Sequence, residues 1–113
     1  MTIPVRPWAT AALGVLALGL TVISAFADEA TLELGKRVFL EVSEPRCGVC
    51  HTLADAGTTG EVGPILDELK PDAARVRAAV VNGIGPMPAN EILTNEQVEA
   101  VGLYVSTVAN QTK

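Results

Sequence analysis

Cys47-Gly48-Val49-Cys50-His51 gathers both cysteines of the chain and its single histidine into five residues. Few features constrain a fold more, because each chemistry open to such a cluster demands a different scaffold. A structural disulfide between Cys47 and Cys50 would close a very small loop and add little stability. A tetrahedral zinc site normally takes four Cys or His ligands; this sequence offers three, so carboxylates would have to complete it. A thiol redox motif sits near a βαβ pattern. The remaining choice is covalent attachment of a prosthetic group, which would consume both thiols.

The rest of the chain discriminates among these. Its first stretch carries Arg6, runs apolar from Trp8 to Phe26, and closes on Ala25-Phe26-Ala27 before Asp28 and Glu29. A basic start, an apolar middle and a small-x-small site form the layout of a secretory signal peptide over residues 1–27. The competing reading is a retained membrane anchor, since the run approaches the roughly 20 residues that span a bilayer. Cleavage after Ala27 would leave residues 28–113 as one domain of 86 residues (113 less 27). Only Arg6 among the charged residues leaves with the leader, so seven basic and thirteen acidic groups give −6. Phe39 and Tyr104 are then the only aromatics. So short a chain buries a modest share of its surface and usually needs a staple. A large apolar group in its core would meet that need. Export also places the cysteines where free thiols oxidise unless other chemistry uses them.

Helical periodicity governs the domain. Residues 28–42 read as an amphipathic helix with Leu34, Val38 and Phe39 on one face, and Glu33, Lys36, Arg37 and Glu41 toward water. Asp28 and Glu29 suit its N-terminus. Gly35 inside that pattern costs about 1 kcal/mol relative to alanine, which suggests close approach by another element. Ser43-Glu44-Pro45-Arg46 breaks the helix, and residues 47–53 suggest a short helical turn. Residues 54–64 read as a loop. Residues 65–69 suggest a brief helix, and a further helix starts at Pro71-Asp72 and ends at Asn82-Gly83. Ala73, Val76, Ala79 and Val80 form its apolar side. A second loop holds Pro86 and Pro88. The last helix opens with a capping box at Thr94-Asn95-Glu96-Gln97, with Leu93 and Val98 placed as a hydrophobic staple. Val98, Val101, Val105 and Val108 follow at helical steps. No strand alternation of useful length is present, so the expectation is an all-α fold of three main helices and two long loops.

The want of a fourth Cys or His disfavours the zinc reading and the want of strands the thioredoxin-like one, which leaves, in an exported chain, the c-type haem attachment pattern, C-x-x-C-H. Two thiols add to the two vinyl groups of haem, and the adjoining His51 meets the iron from one face. For the other face, Met87 is the only methionine once Met1 is gone, and it lies between two prolines rather than on an apolar helical face. A His/Met pair raises haem potential. Lys36, Lys70 or an open position are the alternatives.

The domain resembles a small class I c-type cytochrome over nearly its whole length. The matching parts are Gly35-Lys36-Arg37-Val38-Phe39, the Cys47–His51 cluster, Gly63-Pro64-Ile65-Leu66, Met87-Pro88, and Leu103-Tyr104-Val105. The resemblance implies one covalent haem c held by Cys47 and Cys50, with His51 and Met87 on the iron. It implies that Gly35 lets the first and last helices cross closely, with Phe39 and Tyr104 packing there. It also implies that the Pro64 carbonyl accepts a hydrogen bond from His51 Nδ1–H, which would orient the ring and make it more basic. Aromatics that shield haem in the family are scarce here; Arg75, Arg77 and Asn82 are either propionate contacts or solvated helix residues. Residues 47–88 are also similar to haem subunits of bacterial sulfite dehydrogenases.

These expectations converge on one-electron transfer in a bacterial periplasm. The chain would serve either as a free carrier or as the haem subunit of a periplasmic dehydrogenase, without a catalytic residue of its own. Its partners would be redox proteins: a dehydrogenase as donor, a terminal oxidase or another cytochrome as acceptor. Glu61, Asp67, Glu68, Glu91, Glu96 and Glu99 are placed to steer a basic partner, or simply to keep the surface soluble. A gas-binding or peroxidatic haem with a labile sixth ligand is the third reading. An acidic exported chain is a poor nucleic-acid binder, and membrane association would depend on retention of the N-terminal segment.

Overall fold

A computed structural model of the chain describes residues 2–5 and 18–111; residues 1 and 6–17 of the expected leader lie outside them, as do 112 and 113. The helices expected from periodicity are present as α1 (Leu18–Arg37), α4 (Ala73–Asn82) and α5 (Asn95–Ala109). Between α1 and α4 come two single-turn helices, α2 (Cys47–Cys50) and α3 (Leu66–Leu69). The domain is helix-rich rather than purely helical. Residues 52–53, expected in the helical turn, and 58–59, expected as loop, form a small antiparallel ladder, β1 (Thr52–Leu53) with β2 (Thr58–Thr59), Thr52 facing Thr59 and Leu53 facing Thr58. Its strands are two residues long, too short for alternation to register, although β-branched threonines favour that backbone.

Helix α1 also departs from expectation. No proline interrupts residues 18–37, and the helix runs without a break across Ala27-Asp28, so Asp28 and Glu29 lie inside it rather than at its start. Its continuation, Val38–Val42, is a π-helical turn that ends where Ser43 turns extended. Among the described residues no helix is long and apolar enough to cross a membrane.

Helices α1 and α5 cross at Gly35. A methyl group there would fall on the Ala100 carbonyl oxygen and 2.5 Å from Tyr104 Cβ, so the propensity cost of glycine is offset by the close approach it permits. One turn on, the Phe39 and Tyr104 rings meet edge to face, centroids 6.2 Å apart at 63°, a favoured aromatic geometry. Val38, Phe39, Val101, Tyr104 and Val105 are buried at this crossing, and Leu53, Leu66, Val80 and Val98 extend the core toward the loops. Full burial of side chains of this size contributes about 1.5–3 kcal/mol each.

Helix ends are set by side chains. Asp72 is the cap of α4, its carboxylate accepting Arg75 N–H at 2.7 Å, which leaves Pro71 outside the helix rather than in its first turn. The capping box of α5 forms as the sequence indicates: Gln97 N–H to Thr94 Oγ1 at 3.2 Å and Thr94 N–H to Gln97 Oε1 at 2.9 Å. Lys70, left-handed at φ 47°, ends α3 and donates from Nζ to the Ala109 carbonyl at the end of α5, 3.1 Å away.

Candidate cofactor site

The Cys-x-x-Cys spacing puts both sulfurs on one face of the helical turn α2, three residues apart. Both cysteines are unpaired and half-buried. The turn is fastened at each end: His51 N–H returns to Cys47 O at 2.9 Å, and Cys47 N–H reaches Ser43 Oγ at 3.2 Å. Ser43 Oγ also lies 3.2 Å from Cys47 Sγ. Burial pushes the Cys47 thiol above its ordinary pKa, against the lowering effect of Ser43.

Two glycines let the ladder close over this turn. A side chain at Gly48 would strike Thr58, and one at Gly60 would sit 2.6 Å from the Cys50 carbonyl carbon and His51 N. Gly63 N–H donates to Cys50 O at 2.7 Å. Thr58 links the ladder to the histidine: its hydroxyl donates to His51 O at 2.9 Å while accepting Leu53 N–H at 3.1 Å. Thr52 Oγ1 donates to Gly60 O at 3.0 Å.

His51 Nδ1 lies 2.8 Å from the Pro64 carbonyl. A carbonyl only accepts, so the proton of the neutral ring sits on Nδ1 and the lone pair on Nε2. The imidazole rests against Gly63, where an added Cβ would lie 2.8 Å from Nδ1 and 2.9 Å from Nε2. Orientation, tautomer and donor atom are therefore all fixed by two consecutive residues, in the manner of a metal-binding histidine with an outer-shell acceptor.

Behind the histidine, the same loop is tied to the rest of the fold by carboxylates. Asp67 of α3 accepts Ala54 N–H at 2.9 Å. Asp55 accepts Tyr104 O–H at 2.6 Å and pairs with Lys36 at 3.3 Å, joining the loop to α5 and α1 together. The phenol hydrogen bond, with help from Lys36, holds the Asp55 carboxyl below its usual range. Burial, then the facing Asp55 carboxylate, pushes Tyr104 well above the normal tyrosine pKa. Sequence reading missed Ser43, Asp55 and Thr58 as parts of this site.

Met87 stands on a different loop, between α4 and α5. It is half-buried and packs against the core. Its backbone is paired twice with Ile84, N–H to O at 2.9 Å and O to N–H at 3.0 Å, closing a tight turn through Gly85 and Pro86. Gly83 and Gly85 take positive φ, 71° and 54°, which glycine adopts without penalty. The two lysines weighed as iron ligands are engaged elsewhere, Lys36 with Asp55 and Lys70 with Ala109 O. Of the propionate candidates, Arg77 pairs with Glu99 at 3.4 Å, and Arg75 and Asn82 are exposed.

The donor set fits a covalent haem: two reduced thiols on one face, an imidazole with Nε2 free, and a thioether on a preset loop. An open cavity of about 700 Å³ is lined by Thr52, Gly60, Gly63, Pro64 and Leu69, and none of the four donor side chains lines it. Among the described residues, one buried side-chain oxygen, Asn90 Oδ1, three residues beyond Met87, has no hydrogen-bond partner, which leaves it open to a water or a bound group.

Residues 30–105 match the family model described as cytochrome c oxidase, cbb3-type, subunit III. The crystal structure of the c-type cytochrome SorU from Sinorhizobium meliloti is 73% identical in sequence, with a TM-score of 0.71 over 72% of this chain and 93% of that one. No curated protein sequence matches significantly.

Proposed function

This chain belongs to the c-type cytochrome family, and we propose that it is a periplasmic carrier of class I fold in which His51 and Met87 ligate the iron of a haem c bound through Cys47 and Cys50. The bound haem supplies a one-electron ferric/ferrous couple. The protein's part is to hold the ligands still. The His51–Pro64 hydrogen bond carries the reading, because it presents Nε2 unprotonated in a fixed direction and strengthens the imidazole as a donor. Met87 is the remaining soft ligand, and its loop is shaped by Gly83, Gly85 and Pro86. With side chains on both faces, no position is left for a substrate, and a preset site changes little between oxidation states. The chain carries electrons and no catalytic group.

The Met87→Ala holoprotein tests this. The ferric thioether-to-iron absorption band should disappear, and the potential should fall by on the order of 0.1 V or more, within the range of about 0.8 V that axial ligands span. An unchanged spectrum and potential would remove Met87 from the site.

Removal of residues 1–27 during export is part of the same proposal; it would turn Asp28 and Glu29 into the first residues of a shortened α1, where acidic side chains favour the helix. A second reading makes the chain the haem subunit of a periplasmic dehydrogenase such as one acting on sulfite. Exposed apolar side chains are what a stable subunit contact would cover: Val49, Val62, Ile84 and Ile92 are each more than 60% exposed. Of the acidic residues considered for steering, Glu61, Glu68, Glu91, Glu96 and Glu99 are exposed, Glu99 being paired with Arg77, and half-buried Asp67 is tied to Ala54 N–H. Purification of the tagged holoprotein from its native periplasm separates the readings: a subunit retains a stoichiometric dehydrogenase in high salt, and a free carrier retains nothing.

A further inference from the structure

Ser43 is a fully buried polar side chain, 1% exposed. It lies between the π-helical turn and α2, four residues before Cys47, on the far side of Pro45. Its hydroxyl accepts the Cys47 N–H at 3.2 Å and lies 3.2 Å from Cys47 Sγ. A hydroxyl has one proton and two lone pairs. With one lone pair taken by the N–H, the proton is free to point at the sulfur.

Attachment removes the ambiguity over which atom donates. The Cys47 S–H adds across a haem vinyl: a carbon–sulfur bond forms, the vinyl π bond breaks, and the thiol proton goes to the terminal vinyl carbon. No electrons are gained or lost overall. The product is a thioether, whose sulfur accepts but has no proton to donate. A Ser43 O–H···S hydrogen bond is thus compatible with both reactant and product, whereas S–H···O is lost in the reaction.

We propose that Ser43 is a positioning residue for covalent haem attachment, selecting the rotamer of Cys47 that reacts and holding its sulfur afterwards. The inference rests on Cys47 being an attachment point, as proposed above. A net hydrogen bond of ordinary strength changes a rotamer population about fivefold, enough to decide whether one thioether forms before the chain is released from maturation. Ser43 thereby acts on one attachment arm and leaves the Cys50 arm untouched.

The test is expression of Ser43→Ala and Ser43→Thr with haem c maturation proteins, each in the wild-type and Cys47→Ala backgrounds. Mass spectrometry and the pyridine haemochrome α-band count the thioethers, because an unreacted vinyl moves that band to longer wavelength. Ser43→Ala should yield holoprotein with a large share of single-thioether haem, and Ser43→Thr should restore two. In the Cys47→Ala background, Ser43→Ala should cause no further loss of haem or band shift. Two intact thioethers in Ser43→Ala would overturn the proposal. An equal loss of holoprotein in both backgrounds would also overturn it, by reducing Ser43 to a support for the fold. If peptide mapping of the wild-type holoprotein found Cys47 unmodified, the attachment assignment itself would fail, independently of Ser43.

Discussion

The two loops that carry the proposed iron ligands are held in different ways. The His51 loop is bound by side chains: Thr58 on the His51 carbonyl, Asp67 on Ala54, and Asp55 on Tyr104 and Lys36. The Met87 loop is shaped by backbone, through the Ile84–Met87 pair, Asn90 N–H on Val80 O, and two glycines at positive φ. Side-chain ties reach three helices and couple the first loop to the core, while backbone turns leave the second as a local unit. Regions with few long-range ties open at lower free energy than the global fold. The methionine side should therefore release its ligand before the histidine side moves.

Glycines at the two loops are needed for different reasons, and substituting them breaks the comparison most severely on the histidine side. At Gly63 the requirement is space. A branched side chain there would overlap the imidazole, and overpacking of this kind costs about 3 kcal/mol. Gly63→Val should displace His51 from Pro64 and abolish most covalent holoprotein, read by haem staining after electrophoresis. At Gly85 the requirement is conformation. Nothing lies within 4 Å of an added Cβ, but φ is 54°, so Gly85→Ala pays only the left-handed penalty of about 1–2 kcal/mol. That protein should retain its haem while the ferrous form binds carbon monoxide faster, through easier loss of Met87. Equal behaviour of the two variants would erase the distinction between the loops.

The sequence made the local parts of this arrangement legible. Cys-x-x-Cys-His, the Thr94–Gln97 box and Gly35 each depend on neighbours a few residues away or on a repeating face. Pro64 and the Phe39–Tyr104 contact entered through family resemblance and reappear in the geometry. The ties of the His51 loop were not legible. Asp55 and Tyr104 are 49 positions apart, and no local spacing predicts that pair. Ser43 is close to Cys47, but Pro45 between them hides the relation that would be obvious in a continuous helix. The β1–β2 ladder depends on Gly48 and Gly60 admitting it, a tertiary condition rather than a propensity.

The Asp55–Tyr104 tie gives the smallest effect and the sharpest signature. Tyr104→Phe keeps the ring against Phe39 and removes the hydrogen bond to a charged but partly exposed carboxylate. A loss of about 1 kcal/mol at neutral pH is expected once solvent screening is allowed for. The sign on the acid side follows from the direction of the Asp55 shift. Its folded pKa is lowered, so its contribution is complete above the unfolded carboxylate value of about 3.9 and is lost as pH falls through the folded value. On the alkaline side Tyr104 is raised. Its contribution is complete below the unfolded tyrosine value of about 10 and declines as pH rises from there toward the folded value. The stability difference between wild type and Tyr104→Phe, from denaturant titrations of the holoproteins, should thus be greatest on a plateau between about pH 5 and 9 and narrow at both ends. Asp55→Asn should flatten the acid limb. No difference between the two proteins at any pH would mean that Tyr104 supports the histidine loop through packing alone, leaving the loop's attachment to α5 no different in kind from the apolar contacts around it.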